Sequence, residues 1–299
     1  MTDTMVIETA GLRKVYGGFE ALSGLDLAVP AGSICGFLGR NGAGKTTAIK
    51  ILLGMAHATA GSARVFGLDV GDPKAGVAIR KRIGFVSDEK DLYDFMTVAE
   101  MIRFNAGFYP TWRTDLEEKY LRAFDLPPNR RVKALSRGMR TKLALLLALS
   151  HGAELVILDE ATSGLDPAAA EEVLQALVAH VAREGMTIFF SSHQLAEVDQ
   201  IADRVAVIDK GRLVVSGELD DLRETWRRIR LVFPGDAPAA TFNTPGVERV
   251  TRDGRMMSIV CSSNPDRIVA EAQALAPASI DVVPVTLKEI FLETVVRED

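Results

Sequence analysis

Only two cysteines occur in 299 residues, Cys35 and Cys261, and they lie far apart in the chain. That count leaves no disulfide framework and no metal-ligand spacing, and it fits a reducing compartment. Long apolar runs are missing as well. The strongest, residues 143–149, is stopped by Ser150 and His151 and falls far short of the roughly 20 residues that span a bilayer, so any membrane role must use a partner. Residues 1–5 carry no basic stretch ahead of an apolar core, and no secretion signal is expected. An excess of positive charge is lacking too: 35 Lys and Arg stand against 40 Asp and Glu, a formal net charge of −5, which argues against a nucleic-acid surface. No internal repeat or low-complexity tract is visible. What remains is an ordinary globular composition, 47% hydrophobic and 25% charged, over a length that suggests two domains.

The most informative segment is Gly39-Arg40-Asn41-Gly42-Ala43-Gly44-Lys45-Thr46, directly after the apolar strand Ser33-Ile34-Cys35-Gly36-Phe37-Leu38. A strand feeding a glycine-rich turn and then a helix is a phosphate cradle. Glycines let successive N–H groups converge on phosphate oxygens, Lys45 reaches the terminal phosphates, and Thr46 offers an oxygen to Mg²⁺. Further on, Leu155-Val156-Ile157-Leu158 ends in Asp159-Glu160, two carboxylates at the edge of the sheet where such folds bind ligands. Taken alone, that pair could cap a helix. Beside a phosphate turn, Asp159 has the spacing to hold Mg²⁺ and Glu160 is the candidate base that orients a water. Ser191-Ser192-His193 ends another strand and brings an imidazole to the same edge. His57, His151 and His180 have no companion groups and receive no role. Ser136, before a long apolar helix, is an N-cap at a positive helix end. It lies too far along the chain to face its own phosphate turn, so a phosphate held by a second copy is its natural partner.

Periodicity organises the rest. Residues 6–29 alternate as antiparallel strands about the turn Tyr16-Gly17-Gly18; residues 47–53 are helical and stopped by Gly54; Ile83-Gly84-Phe85-Val86 is a strand. Residues 97–150 read as helical throughout, an all-helical insert. Residues 168–181 form a helix before the strand Thr187-Ile188-Phe189-Phe190, so a mainly parallel sheet covered on both faces is expected. Composition changes near residue 217, where Leu231-Val232-Phe233 and Ser258-Ile259-Val260 are strand-like and 286–296 is a last helix. Arg223, Arg227, Arg228 and Arg230 cluster around Trp226 and read as a solvated helix face rather than a lipid contact.

Together these residues resemble the ATP-binding-cassette family, specifically its nucleotide-binding subunits, over residues 6 to about 216. The family's motifs occur in order: Tyr16 for adenine stacking; the Walker A run, in which Gly39, Asn41, Gly42, Ala43, Gly44, Lys45, Thr46 and the adjoining Thr47 hold the nucleotide; the signature, with Ser136 and Gly138; Walker B, with Asp159 and Glu160; the D-loop Ser163-Gly164-Leu165-Asp166; and the switch His193. The resemblance implies an α/β P-loop NTPase core of mainly parallel sheet, an antiparallel β subdomain and a helical insert at about 89–152, all within an ATP-binding domain at 1–216. A small α+β accessory domain at 217–299 follows; its end, Leu287-Lys288-Glu289-Ile290-Phe291-Leu292-Glu293, is similar to extensions on cassettes that serve small, separately encoded exporters. Implied too are ATP and Mg²⁺ as cofactors, with Thr46 and Asp159 on the metal, and Glu160, His193 and Lys45 in catalysis. The partners are a second copy or a paired cassette closing on two ATP molecules, and a membrane permease that holds the cytoplasmic subunit at the inner face of the membrane.

Two departures from the family pattern stand out. Asp88 takes the Q-loop position of a glutamine and is counted with both the catalytic and the metal residues; it can grip Mg²⁺ but cannot donate a hydrogen bond to water, and Glu89 next door could substitute by reach. Arg137 and Met139 replace a glycine and a glutamine in the signature, adding a cation and a thioether. Two other readings stay open: a soluble cassette acting as an ATP-gated clamp on ribosomes or DNA, and a nucleotide-dependent regulator with negligible hydrolysis.

Overall fold

A computed structural model describes residues 4–295, apart from the side chains at 180, 182 and 183, so the imidazole of His180 lies outside what is described. The chain divides into two compact units, one ending at Val214 and the other beginning at Val215.

The first unit opens with the alternating segment. Strand β1 (Met5–Tyr16) turns through Gly17 and Gly18, at φ 53° and 94°, into β2 (Phe19–Leu25). A two-residue hairpin with positive φ at both positions suits glycine, which has no Cβ to clash. Antiparallel pairing of β1 with β3 (Ala28–Pro30) and with β5 (Ala60–Val65), and of β5 with β6 (Leu68–Asp69), completes this sheet.

A second sheet carries the glycine-rich turn. Strand β4 (Ile34–Leu38) is buried along its whole length, as a strand covered on both faces should be. It runs parallel to β10 (Arg204–Asp209) on one side and β9 (Thr187–Ser192) on the other; β8 (Leu155–Asp159) and β7 (Ile83–Val86) extend the parallel ladder, and β11 (Arg212–Glu218) forms the opposite edge. One apolar core joins the two sheets. Phe37 and Phe189 pack ring to ring at 5.1 Å within it, against Ile49 and Leu52 of helix α1 (Lys45–Leu52). Full burial of each such side chain contributes about 1.5–3 kcal/mol.

Helix α2 (Pro73–Arg82), capped by Asp72 with proline at its first position, was not legible as a helix because only Gly76 and Ile79 are buried and no apolar stripe marks it. The insert forms α3 (Val98–Ala106), α4 (Thr114–Ala123), a short 3-10 turn (Val132–Ala134) and α5 (Arg137–Ser150). It is therefore not helical throughout: Pro110 interrupts the first gap and Pro127-Pro128 the second, where proline removes the helical N–H. Helices α6 (Pro167–Glu184) and α7 (Leu195–Ile201) complete this unit.

The second unit contains α8 (Leu219–Thr225) and strands β12 (Arg227–Val232), β13 (Val247–Asp253), β14 (Met256–Cys261) and β15 (Ser279–Pro284), in the antiparallel order β13-β14-β12-β15. Helix α9 (Pro265–Gln273) packs Ile268 and Ala272 against Ile229 and Ile259. Helix α10 (Leu287–Val295) places Ile290 with Trp226, Val260 and Val285; the expected end of that helix at 296 lies outside the described residues. The arginine cluster needs correction. Arg227, Arg228 and Arg230 belong to strand β12, where they alternate with buried Ile229 and Leu231, and Trp226 is core rather than surface. Arg228 pairs with Glu289 at 2.7 Å. Period-2 burial overrode the helical reading.

Candidate functional site

Strand β4 delivers the chain to the C-terminal edge of the parallel sheet, where open α/β sheets bind ligands. Two glycines of the following turn are sterically required. A Cβ at Gly39 would stand 2.6 Å from the Ile208 carbonyl oxygen, and at Gly44, where φ is 109°, one would stand 2.6 Å from that of Ala21. Around Gly42, by contrast, nothing lies within 4 Å of a Cβ position, so the mouth of the turn is open. Helix α1 begins at Lys45 with no side-chain cap, leaving its first N–H groups available to an anion.

Lys45 is only 6% exposed. Its Nζ donates to the Gly39 carbonyl at 2.7 Å and the Arg40 carbonyl at 3.4 Å, and lies 3.2 Å from Glu160 Oε1. Strand β8 ends in Asp159, whose buried carboxylate accepts from Ser191 Oγ on β9 at 2.7 Å. At the next residue the backbone turns left-handed: Glu160 has φ 52°, and its N–H donates to the Ser191 carbonyl at 3.2 Å and to Ser191 Oγ at 3.1 Å. For a residue with a Cβ this conformation costs on the order of 1–3 kcal/mol. It sets the Glu160 carboxylate between Lys45 and His193 Nδ1, which contacts Oε2. The Asp159-Glu160 pair caps no helix; α6 starts later, capped by Asp166, which accepts from the Ala169 N–H at 3.0 Å.

Lys45, Thr46, Thr47, Asp88, Glu160 and His193 line one cavity of about 370 Å³, together with Asn41, Gly42 and Gly44 of the turn. Phe19, Arg40 and Ser163 also line it, and sequence reasoning gave the first two no role. Phe19 stands one hairpin turn from Tyr16. Tyr16 itself lies outside this cavity, 46% exposed, with the Lys14 ammonium 4.6 Å over its ring. Ser136 and Gly138 also lie outside it. Ser136 is exposed and caps α5, accepting from the Met139 N–H at 3.2 Å. Exposed Glu89 does not line the cavity; its carbonyl accepts from Ser87 Oγ.

Asp88 faces a second group as well. Its Oδ1 lies 3.5 Å from Arg137 Nη2. Nearby, Lys90 Nζ donates to the Asp88 carbonyl at 2.9 Å and the Ala161 carbonyl at 3.0 Å, and burial holds its pKa below the usual lysine value.

The hydroxyl of Thr46 and the carboxylates of Asp159 and Asp88 are hard oxygen donors of the kind Mg²⁺ takes. Among the described residues no group of three or more His, Cys, Asp or Glu side chains is arranged to hold a metal alone. The residues fit an ion that arrives with phosphate oxygens of its own. A larger hollow, about 720 Å³, opens at the other ends of β8 and β9, where Arg82 pairs with Glu154 and Arg113 with Glu184. Burial pushes the Cys35 thiol up to about 12, which makes it inert.

A buried lysine in a glycine turn, facing a carboxylate at the edge of a parallel sheet, defines a P-loop nucleotide hydrolase. The family model described as ABC transporter matches residues 22–163, and the chain belongs to that family as an ATP-binding, ATP-hydrolysing subunit. It is 34% identical over 308 residues to the daunorubicin resistance ATP-binding protein DrrA3 of Streptomyces coeruleorubidus, covering 98% of this chain and 96% of that one. Against the bacitracin transport ATP-binding protein BcrA of Bacillus licheniformis the identity is 35% over 225 residues, 75% of this chain and 73% of the other. A solved ATP-binding subunit of an ABC transporter superposes with a TM-score of 0.66 at 28% identity, over 73% of this chain and 92% of that one. A dimeric ATP-binding cassette in a post-hydrolysis state with ADP and Pi shares the fold, with a TM-score of 0.65 at 20% identity, over 71% and 98%.

Proposed function

We propose that this subunit works in pairs, closing around two ATP molecules, and drives a separately encoded membrane permease as an exporter. The observation that carries the reading is the meeting of Lys45, Glu160 and His193 in one cavity while the Ser136 helix end stays outside it, exposed. A second copy then completes each site, its Ser136 and Gly138 meeting phosphates held by Gly39, Asn41, Gly42, Ala43, Gly44, Lys45, Thr46 and Thr47, with Tyr16 toward the adenine. Residues 1–216 serve as the ATP-binding domain and 217–299 as an accessory domain. Relatives named for bacitracin transport and daunorubicin resistance support export as the direction. No described helix is long and apolar enough to cross a membrane, so in this reading the permease holds the subunit at the inner face.

Thr46, Asp159 and Asp88 would hold Mg²⁺, which when bound neutralises phosphate charge. Lys45 adds its buried ammonium to the same task. Glu160, fixed by its left-handed backbone and two Ser191 bonds, orients the attacking water and takes its proton, and His193 steadies that carboxylate and the developing phosphate charge.

Glu160→Gln removes the base but keeps the shape, so kcat should fall on the order of 10²–10⁴-fold with nucleotide affinity retained. An ATPase assay beside a nucleotide titration separates the two. Turnover within tenfold of the unmodified protein would remove Glu160 from its role. Affinity purification from membranes should bring down a small polytopic protein in equal amount; ribosomes or nucleic acid instead would overturn the transport reading.

A further inference from the structure

Arg137 is the first residue of α5, and it stands where a second, separate loop and turn converge. Its guanidinium lies against Gly164 so closely that a Cβ there would sit 2.2 Å from Nη1. Its Nη2 reaches Asp88 at 3.5 Å. Lys90 fastens the same region from below through the Asp88 and Ala161 carbonyls. The segments at 88–90 and 161–164 and the start of α5 therefore meet at one cation.

Asp88 also lines the cavity with Lys45 and Thr46. A carboxylate there repels the phosphates the cavity is built to hold, unless a cation faces it. Two cations are on offer at different times: Arg137 from the same chain, and a divalent ion accompanying the nucleotide. The Arg137 pair is half-exposed on both sides, 56% and 49%, so it holds weakly and yields to a doubly charged competitor.

We propose that Arg137 holds Asp88 as an internal counter-ion until the cavity is loaded with Mg²⁺ and nucleotide, and then releases it. Arg137 is thus a positioning residue: it sets the divalent-ion concentration at which the site loads and ties α5 to the 88–90 segment beforehand. This rests on the ATPase reading above and adds to it a cation-gated latch.

The test uses the full chain with Mn²⁺ in place of Mg²⁺ and a non-hydrolysable ATP analogue, with bound Mn²⁺ read by electron paramagnetic resonance. Arg137→Gln, and Arg137→Met as a second form, should lower the half-saturating Mn²⁺ concentration about three- to fivefold, while Arg137→Lys stays within twofold of the unmodified protein. Asp88→Asn should raise it, and adding Arg137→Gln to Asp88→Asn should change nothing further, because the two residues act through one contact. An unchanged midpoint in both neutral Arg137 variants would overturn the latch. So would a shift that persists in the Asp88→Asn background, which would mark a general charge effect. Failure of the unmodified protein to bind Mn²⁺ and the analogue at all would instead reject the nucleotide site itself.

Discussion

Gly44 shows how much of the site rests on single atoms. Its φ of 109° and the Ala21 carbonyl oxygen 2.6 Å from any Cβ leave room for hydrogen alone. Gly44→Ala should therefore distort the turn, cut nucleotide affinity by tenfold or more, and cost about 1–3 kcal/mol of stability. Gly42→Ala meets only the cost of its positive φ, since its surroundings are open. Fluorescent-nucleotide titration and urea denaturation of both variants check this; equal losses at the two positions would disprove the steric account. The turn was legible in the sequence because its chemistry lies within eight consecutive residues. The Asp88–Arg137 contact was not: each departure was visible, but nothing in the order of residues brings a loop before α3 against the start of α5.

At the level of elements, the insert ends in a titratable group with a readable consequence. His151 follows α5, is 2% exposed, and stacks on Tyr109 at 4.2 Å; burial pushes its pKa down to about 4. The unfolded imidazole takes a proton near pH 6.5, the folded one only near 4, so the unfolded state binds more protons between those values. Stability should fall as pH drops through that window, by about 3 kcal/mol in total, and level off below it. His151→Leu should flatten this limb in thermal melts from pH 4 to 7; a slope as steep as before would show that other groups carry it. From sequence alone His151 had no visible companion, because Tyr109 belongs to a different stretch of the insert. Elements with a strong burial pattern, such as β4, β8 and β9, were legible; α2 was not, and the arginine-bearing first part of β12 was misread for lack of its sheet partners.

For the whole molecule, the proposed sandwich makes a prediction about mass. Glu160→Gln with Mg²⁺ and ATP should elute from size exclusion at twice the mass it shows with ADP, since a site that binds without hydrolysing keeps the pair closed. A monomer in both conditions, confirmed by light scattering, would count against the paired site. Trp226→Ala, which empties a 5%-exposed position in the second unit's core, should cost about 3–5 kcal/mol there. ATP affinity should change less than twofold if the accessory unit takes no part in nucleotide binding, and a larger loss would assign it one.

The order of residues by itself determined the parallel core and the phosphate turn and named the candidate site residues, because each of these depends on groups near one another along the chain. Hydrophobic period and glycine spacing are local properties. Tertiary structure alone decided that Glu160 lies between Lys45 and His193, that Phe19 rather than Tyr16 walls the cavity, and that Arg137 answers Asp88. Those contacts join strands, loops and helices far apart in the chain, and only packing the core brings them within reach of electrostatic and hydrogen-bond forces that act over a few ångströms.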